Sequence, residues 1–370
     1  ESQIDNLPLR FRLLDIETIG AGGGSIARLD AGGALRVGPE SAGADPGPIV
    51  YGRGGQQLTV SDANAILGRL DPEHFLGGEM PLQLDDAQKQ MEQLAKQMGV
   101  APVQAAAGIV EVANININRA LRRVSVSRGH DPRHFTLVAF GGAGPLHACD
   151  VARSLRMPRV LIPRYPGVLC AFGLLVADIV LEYSRPVMRP VTIASVAEMR
   201  VMMADMMRHA HEDLKREGIS KEQRRFRAIL EMRYEGQAYE LPVSLSFGKI
   251  KAQVVEAFHE THERTYGHAL RDREVEAVNL RLQAIGIIEK PPIEPEPVQD
   301  NSGADALLRL STAPDGQRLA LYDRELLIPG ARFPGPALIF QLDCTTYIPE
   351  GWKAYVDGYR NLVLEDTAQV

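Results

Sequence analysis

What the chain has little of narrows it first. Cysteine occurs three times, at Cys149, Cys170 and Cys344, far apart and in no C-x-x-C pair. An odd, scattered set excludes a disulfide scaffold, and the usual state of such residues is a buried free thiol. No apolar run approaches the roughly 20 residues that a bilayer-spanning helix needs, and no basic segment followed by an apolar one stands at the N-terminus. The expectation is a cytoplasmic protein with no membrane partner. Positive charge is not in excess: 41 Lys and Arg stand against 47 Asp and Glu, for a net charge of −6, with the signs interspersed. Without a basic stripe, nucleic acid is not an expected partner.

What is present is a globular chain of 370 residues, long enough for two or three domains with cores of their own. Its organising stretch is Thr136 to His147, T-L-V-A-F-G-G-A-G-P-L-H. The apolar run Leu137 to Phe140 reads as a strand covered on both faces. Gly141, Gly142 and Gly144 then clear side chains from a turn, so that a ligand can approach backbone N–H groups, and Pro145 opens a helix. A second glycine run, Gly20 to Ser25, follows the strand candidate Phe11 to Ile16. It fits a nest of N–H donors for phosphate, and equally a β-hairpin with a glycine bulge. Both stretches are motifs whose meaning depends on context.

The remainder alternates helices and strands. Ser41 to Gly55 is a long Gly- and Pro-rich loop carrying Asp45 and Arg53 as conceivable ligand contacts, and Ser61 or Asp62 is placed to cap a helix from Ala63. Apolar periodicity predicts helices over Leu84 to Met98 and Pro102 to Val126, the second bearing Asn114, Asn116 and Asn118. Arg159 to Ile162 is a second buried strand, and strand, helix, strand implies a partly parallel sheet. Val196 to Arg216 is a helix with a methionine stripe, and Lys251 to Thr265 a helix bearing His259 and His262, an H-x-x-H pair with no third metal ligand nearby in sequence. Four prolines between Pro291 and Pro297 read as a linker to short strands.

The ordered matches T-I-G-A-G-G-G-S-I-A at 18–27, V-G-P-E-S-A-G-A-D-P-G-P at 37–48, Y-G-R-G-G at 51–55, D-A-N at 62–64, R-V-S-V at 123–126, D-P-R-H-F at 131–135, V-A-F-G-G-A-G-P-L-H-A at 138–148, P-G-V-L at 166–169, Y-E-G-Q-A-Y-E-L at 234–241, Y-G-H at 266–268 and P-E-G-W at 349–352 cover most of the chain. On these residues it resembles the C-terminal half of the hydantoinase A / 5-oxoprolinase family, which includes acetone and acetophenone carboxylase subunits. That family is similar to the actin, sugar kinase and Hsp70 ATPases. The resemblance therefore implies an α/β fold, the back half of an actin-like ATPase, followed by an α+β region and a small C-terminal β domain. Domains are expected over 1–185, 186–290 and 291–370. It implies that Gly20, Gly22, Gly23, Gly24 and Ser25 form the second phosphate hairpin, and that Gly141, Gly142, Ala143 and Gly144 form the adenosine turn.

The D-x-G-G-T first phosphate loop of that group is absent from the sequence, and the chain opens on Glu1, so it reads as a fragment or one piece of a split protein. Gly20 stands where kindred hairpins carry Asp, leaving Asp15 or Glu17 to face a metal, and Val50 replaces a common Cys. The implied cofactors are ATP and Mg²⁺ or Mn²⁺. The implied activity is ATP-dependent opening of a cyclic amide, with a ketone carboxylase subunit or a non-catalytic nucleotide-binding module as alternatives. The implied partners are the missing N-terminal half, a hydantoinase B-like subunit and a small cyclic amide, in a homo- or hetero-oligomer.

Overall fold

The computed structural model describes residues 2–4, 7–9, 16–245 and 251–369. Two short strands, β1 (Ser2–Ile4) and β2 (Leu7–Leu9), precede the hairpin of β3 (Ser25–Leu29) and β4 (Leu35–Ser41). Helices α1 (Val60–Ile66), α2 (Asp85–Met98) and α3 (Pro102–Val124) follow, then β5 (Thr136–Val138), α4 (Gly144–Ser154), β6 (Arg159–Ile162) and α5 (Leu169–Val176). Next come β7 (Ile179–Pro190), α6 (Ile193–Arg216), β8 (Arg224–Tyr234), β9 (Leu241–Leu245), α7 (Lys251–Tyr266) and β10 (Val275–Gly286). The last strands are β11 (Leu307–Thr312), β12 (Arg318–Asp323), β13 (Arg332–Pro334), β14 (Ala337–Phe340), β15 (Thr345–Ile348), β16 (Trp352–Val356) and β17 (Leu362–Asp366). The chain is a mixed α/β protein with several sheets.

Two compact units emerge, residues 1–171 with 293–370, and residues 172–292. In the first, a five-stranded sheet runs β13-β16-β17-β6-β5. β5 and β6 are parallel, as the strand, helix, strand pattern predicts. A four-stranded sheet, β11-β12-β14-β15, lies in the same unit. Its Leu321, Leu338, Phe340 and Tyr347 join one apolar cluster with Val60 of α1, Met91 of α2 and Ile109 of α3. Each large apolar side chain so buried contributes about 1.5–3 kcal/mol. Helix α2 stops where Gly99 takes φ 70°, and α3 starts at Pro102, which lacks the N–H that a first helical residue leaves unpaired.

The second unit is the sheet β7-β10-β8-β9 with α6 and α7. The methionine stripe is core, with Met199, Met203 and Met206 buried. The compact units part at residue 171, because the long strand β7 pairs along β10. Residues 293–370 group with residues 1–171. β17 pairs with β6, setting Leu362 opposite Ile162, because short strands with one apolar face need a sheet or helix to cover it.

The strand before the glycine turn also differs from expectation. β5 has three residues at a sheet edge, with Val138 and Phe140 each 46% exposed, not covered on both faces. Among the described residues no single helix is long and apolar enough to cross a membrane. Cys149 and Cys344 are buried, whereas Cys170 is exposed.

Candidate functional site

The two glycine runs meet. A methyl group built on Gly23 would stand 3.9 Å from Cβ of Ala143 and only 2.6 Å from Oγ of Ser61. Three segments thus converge: the Gly20–Ser25 turn, the start of α1, and the turn leading into α4.

The first turn closes on itself. Ser25 N–H donates to Gly22 O at 3.1 Å, Gly22 N–H donates to Ser25 Oγ at 2.9 Å, and Ser25 Oγ donates to Gly20 O at 3.2 Å. Gly24 O accepts from Ala42 N–H at 2.9 Å and Gly23 O from Ser61 N–H at 2.8 Å, so β4 and α1 hold the turn from behind. A β-bulge between Ser25 and Ala27 realises part of the structural alternative as well.

The second turn is held by Gly141 N–H donating to Pro166 O at 2.8 Å. Ala143 caps α4 without a side-chain bond. The N–H groups of Gly23, Gly24, Gly142, Ala143 and Gly144 have no acceptor among the described residues. Two segments therefore bring unpaired donors together, at the start of a helix of 11 residues whose dipole favours negative charge there.

The next side chain along α4 is fixed from α3. His147 is buried, and its Nδ1–H donates to Asn114 Oδ1 at 2.7 Å. Burial, with the Arg69 guanidinium adding to it, pushes the imidazole down from 6.5 to about 4, so it is neutral at pH 7. Arg69 bonds Asp150 at 3.1 Å and lies over the Tyr347 ring at 4.1 Å. Asn116 serves β4, donating to Val37 O at 3.2 Å.

Other sequence candidates are placed elsewhere. Asp15 lies outside the described residues. Glu17 is ion-paired with Arg123 at 2.8 Å, so its carboxylate is already engaged. Asp45 and Arg53 are exposed. Val50 is fully buried, and its N–H donates to Asp62 Oδ1 at 2.8 Å. The H-x-x-H pair is occupied within its own unit: His259 Nδ1 meets Tyr234 Oη at 2.8 Å, and His262 Nδ1 donates to His268 O at 2.7 Å.

Among the described residues the one cluster with three possible metal ligands is Asp71, Glu73 and His74. Arg309 pairs with both of its carboxylates, which offsets one of the two negative charges and occupies an oxygen of each. Sequence reasoning missed Asp343, whose main-chain O stands 3.6 Å from where a Gly142 Cβ would be. No local signal marks a residue two hundred positions from the turn it touches.

Two family models cover nearly the whole chain: hydantoinase/oxoprolinase matches residues 1–183, and the hydantoinase/oxoprolinase C-terminal domain matches 189–367. The chain belongs to the hydantoinase/oxoprolinase family. An uncharacterized protein of Methanocaldococcus jannaschii is 38% identical over 97% of this chain and 52% of its own length. Caprolactamase subunit alpha of Pseudomonas jessenii is 33% identical over 94% of this chain and 53% of its own. The crystal structure of that ATP-dependent caprolactamase superposes with a TM-score of 0.70 and 31% identity over 95% of this chain and 52% of the solved one. Nucleotide-free acetone carboxylase, solved in work on ATP-dependent acetone carboxylation, gives a TM-score of 0.86 at 26% identity over 94% of this chain and 52% of that one. The chain spans about half the length of these relatives.

Proposed function

We propose that this chain supplies the nucleotide-binding part of an ATP-dependent enzyme that opens a cyclic amide. The observation that carries the reading is the meeting of the Gly20–Ser25 and Gly141–Gly144 turns, with unpaired N–H groups on both, in a member of a family with an ATP-dependent caprolactamase. Backbone donors fixed before the ligand arrives stabilise phosphate charge without reorganising, which is what phosphoryl transfer requires of a protein. The actin-like arrangement, in which a second domain closes over the nucleotide, belongs to this proposal. So do an N-terminal half of the same protein supplying the other phosphate loop and a hydantoinase B-like subunit. Their support is that the relatives are about twice as long and that caprolactamase is named by subunits.

Transfer of the γ-phosphoryl group from ATP to the amide oxygen releases ADP and opens the amide carbon to water; loss of phosphate and cleavage of the C–N bond then open the ring. The proposed role of this chain is to bind and orient the triphosphate. Glu17 is engaged by Arg123, and among the described residues the one group of three possible metal ligands, Asp71, Glu73 and His74, includes no residue of the two turns, so these residues offer no ready set of ligands for a resident metal there. Mg²⁺ or Mn²⁺ is proposed to arrive on the nucleotide, and no step is assigned to it.

The TM-score of 0.86 with acetone carboxylase favours a second reading, a ketone carboxylase subunit. Release of ADP that depends on a cyclic amide, measured on the protein as its gene encodes it with its partner subunit, tests the first reading. ADP release that instead requires a ketone and bicarbonate replaces it with the second.

A further inference from the structure

We infer that Asp343 reads the nucleoside end of the ligand, accepting a hydrogen bond from the adenine amino group or a ribose hydroxyl. The inference rests on the nucleotide-binding reading above.

Asp343 lies in the turn between β14 and β15, which Gln341 N–H closes by donating to Cys344 O at 3.0 Å. Its Oδ2 accepts from Gly167 N–H at 2.7 Å. A Cβ on Gly167 would stand 2.5 Å from the Asp343 Cβ, so only glycine permits this approach. The neighbouring Pro166 O is the acceptor that holds Gly141. One peptide thus ties the carboxylate to the glycine turn.

The other oxygen is the telling one. Asp343 Oδ1 is closed off from solvent and has no hydrogen-bond partner among the described residues, although the residue as a whole is half-buried. A carboxylate oxygen denied both water and a donor is costly to keep, and such a group calls for an explanation in what binds there. The space over the glycine turn is open: nothing lies within 4 Å of a Cβ on Gly141, and only the main-chain O of Asp343 stands near one on Gly142. In the proposed complex the Asp343 side chain turns to meet a donor entering over these glycines.

The donor is not a phosphate, which offers only acceptors and is repelled by a carboxylate. Amino and hydroxyl groups remain, and a nucleotide carries them on its base and sugar. With the nucleoside over Gly141 and Gly142, the unpaired N–H groups of Gly23, Gly24 and the start of α4 face the phosphates, which fixes the ligand's direction across the site.

The test is calorimetric titration of ATP, ITP, 2′-deoxy-ATP and 3′-deoxy-ATP into the protein as encoded and into D343N. Asparagine keeps an oxygen for Gly167 N–H and turns the other atom into a donor, so the loop stays tied. The expected result is a loss of about tenfold or more for ITP, if the base amino group is read, or for a deoxy analogue, if the ribose is read. In D343N ATP weakens by a similar factor and that preference disappears or inverts. Equal affinity for all four nucleotides overturns the inference without needing the variant. ATP binding unchanged in D343N overturns it as well, leaving the nucleotide reading intact. Absence of any nucleotide binding by the unsubstituted protein overturns both.

Discussion

Gly142 and Gly20 look alike in the sequence but are expected to fail for different reasons. A Cβ on Gly20 would stand 2.5 Å from the Cβ and 2.6 Å from the Cα of Pro39, and the backbone cannot yield cheaply. Gly20→Ala should cost about 1–3 kcal/mol of stability with or without nucleotide, read from urea unfolding. A Cβ on Gly142 meets one atom at 3.6 Å, an ordinary contact. Gly142→Val should therefore keep a melting temperature close to the parent while its bulk fills the turn and removes ATP binding. Unchanged ATP affinity in that variant would sink the assignment of the turn. His147 supplies a pH test. Its folded value of about 4 lies below the ordinary 6.5, so between these limits the unfolded chain holds a proton that the native one does not. The His147 contribution is complete above pH 6.5 and is lost as the pH falls towards 4, amounting to about 2 kcal/mol at pH 5. Stability measured at pH 7 and pH 5 should show that drop in the parent and a smaller one in His147→Asn. Equal drops would mean that other groups carry the acid sensitivity.

At the scale of elements, α1 shows how a small error of register hides a larger network. The sequence places a cap at Ser61 or Asp62, but the helix starts at Val60 and Thr59 caps it. Thr59 Oγ1 accepts from Asp62 N–H at 3.3 Å, and Asp62 Oδ2 accepts from Thr59 N–H at 2.8 Å. Asp62 Oδ1 also holds Val50 N–H, so one fully buried carboxylate anchors both the helix and the loop before it. Burial pushes its carboxyl upward against the pull of these donors. Asp62→Ala should cost about 3 kcal/mol, because two buried N–H groups lose their acceptor, whereas removing only the Thr59 hydroxyl should cost about 1 kcal/mol. Chemical denaturation of both variants separates the two, and equal losses would reduce Asp62 to a cap. The long helices α2, α3, α6 and α7 were legible because a 3.6-residue stripe is local. β5 was not, since apolar residues at 137–140 look alike whether or not a neighbouring strand covers them. The glycine turns were legible by composition, but their meeting only through the family resemblance, because nothing in either run reports its distance from the other.

For the whole molecule the C-terminal segment decides the organisation. The proline-rich stretch reads as a linker, and only the pairing of β17 with β6 shows that residues 293–370 return to the first unit. A polypeptide of residues 172–292 should unfold cooperatively by itself, since its core from Val187 to Ala284 is internal. A chain ending at Pro292 should show that transition alone, because β6 loses β17 and the cluster around Val160 and Ile162 loses Trp352 and Leu364. A separate transition from residues 1–171 in the shortened chain would overturn this account. The same return pairing has a consequence for synthesis on the ribosome. β17 is translated roughly 200 residues after β6, so at about 5–20 residues per second the nascent sheet waits ten seconds or more for the strand beside it. The second unit emerges contiguously during that interval and can fold first, leaving β6 and its apolar side chains to the care of chaperones until the polypeptide comes back.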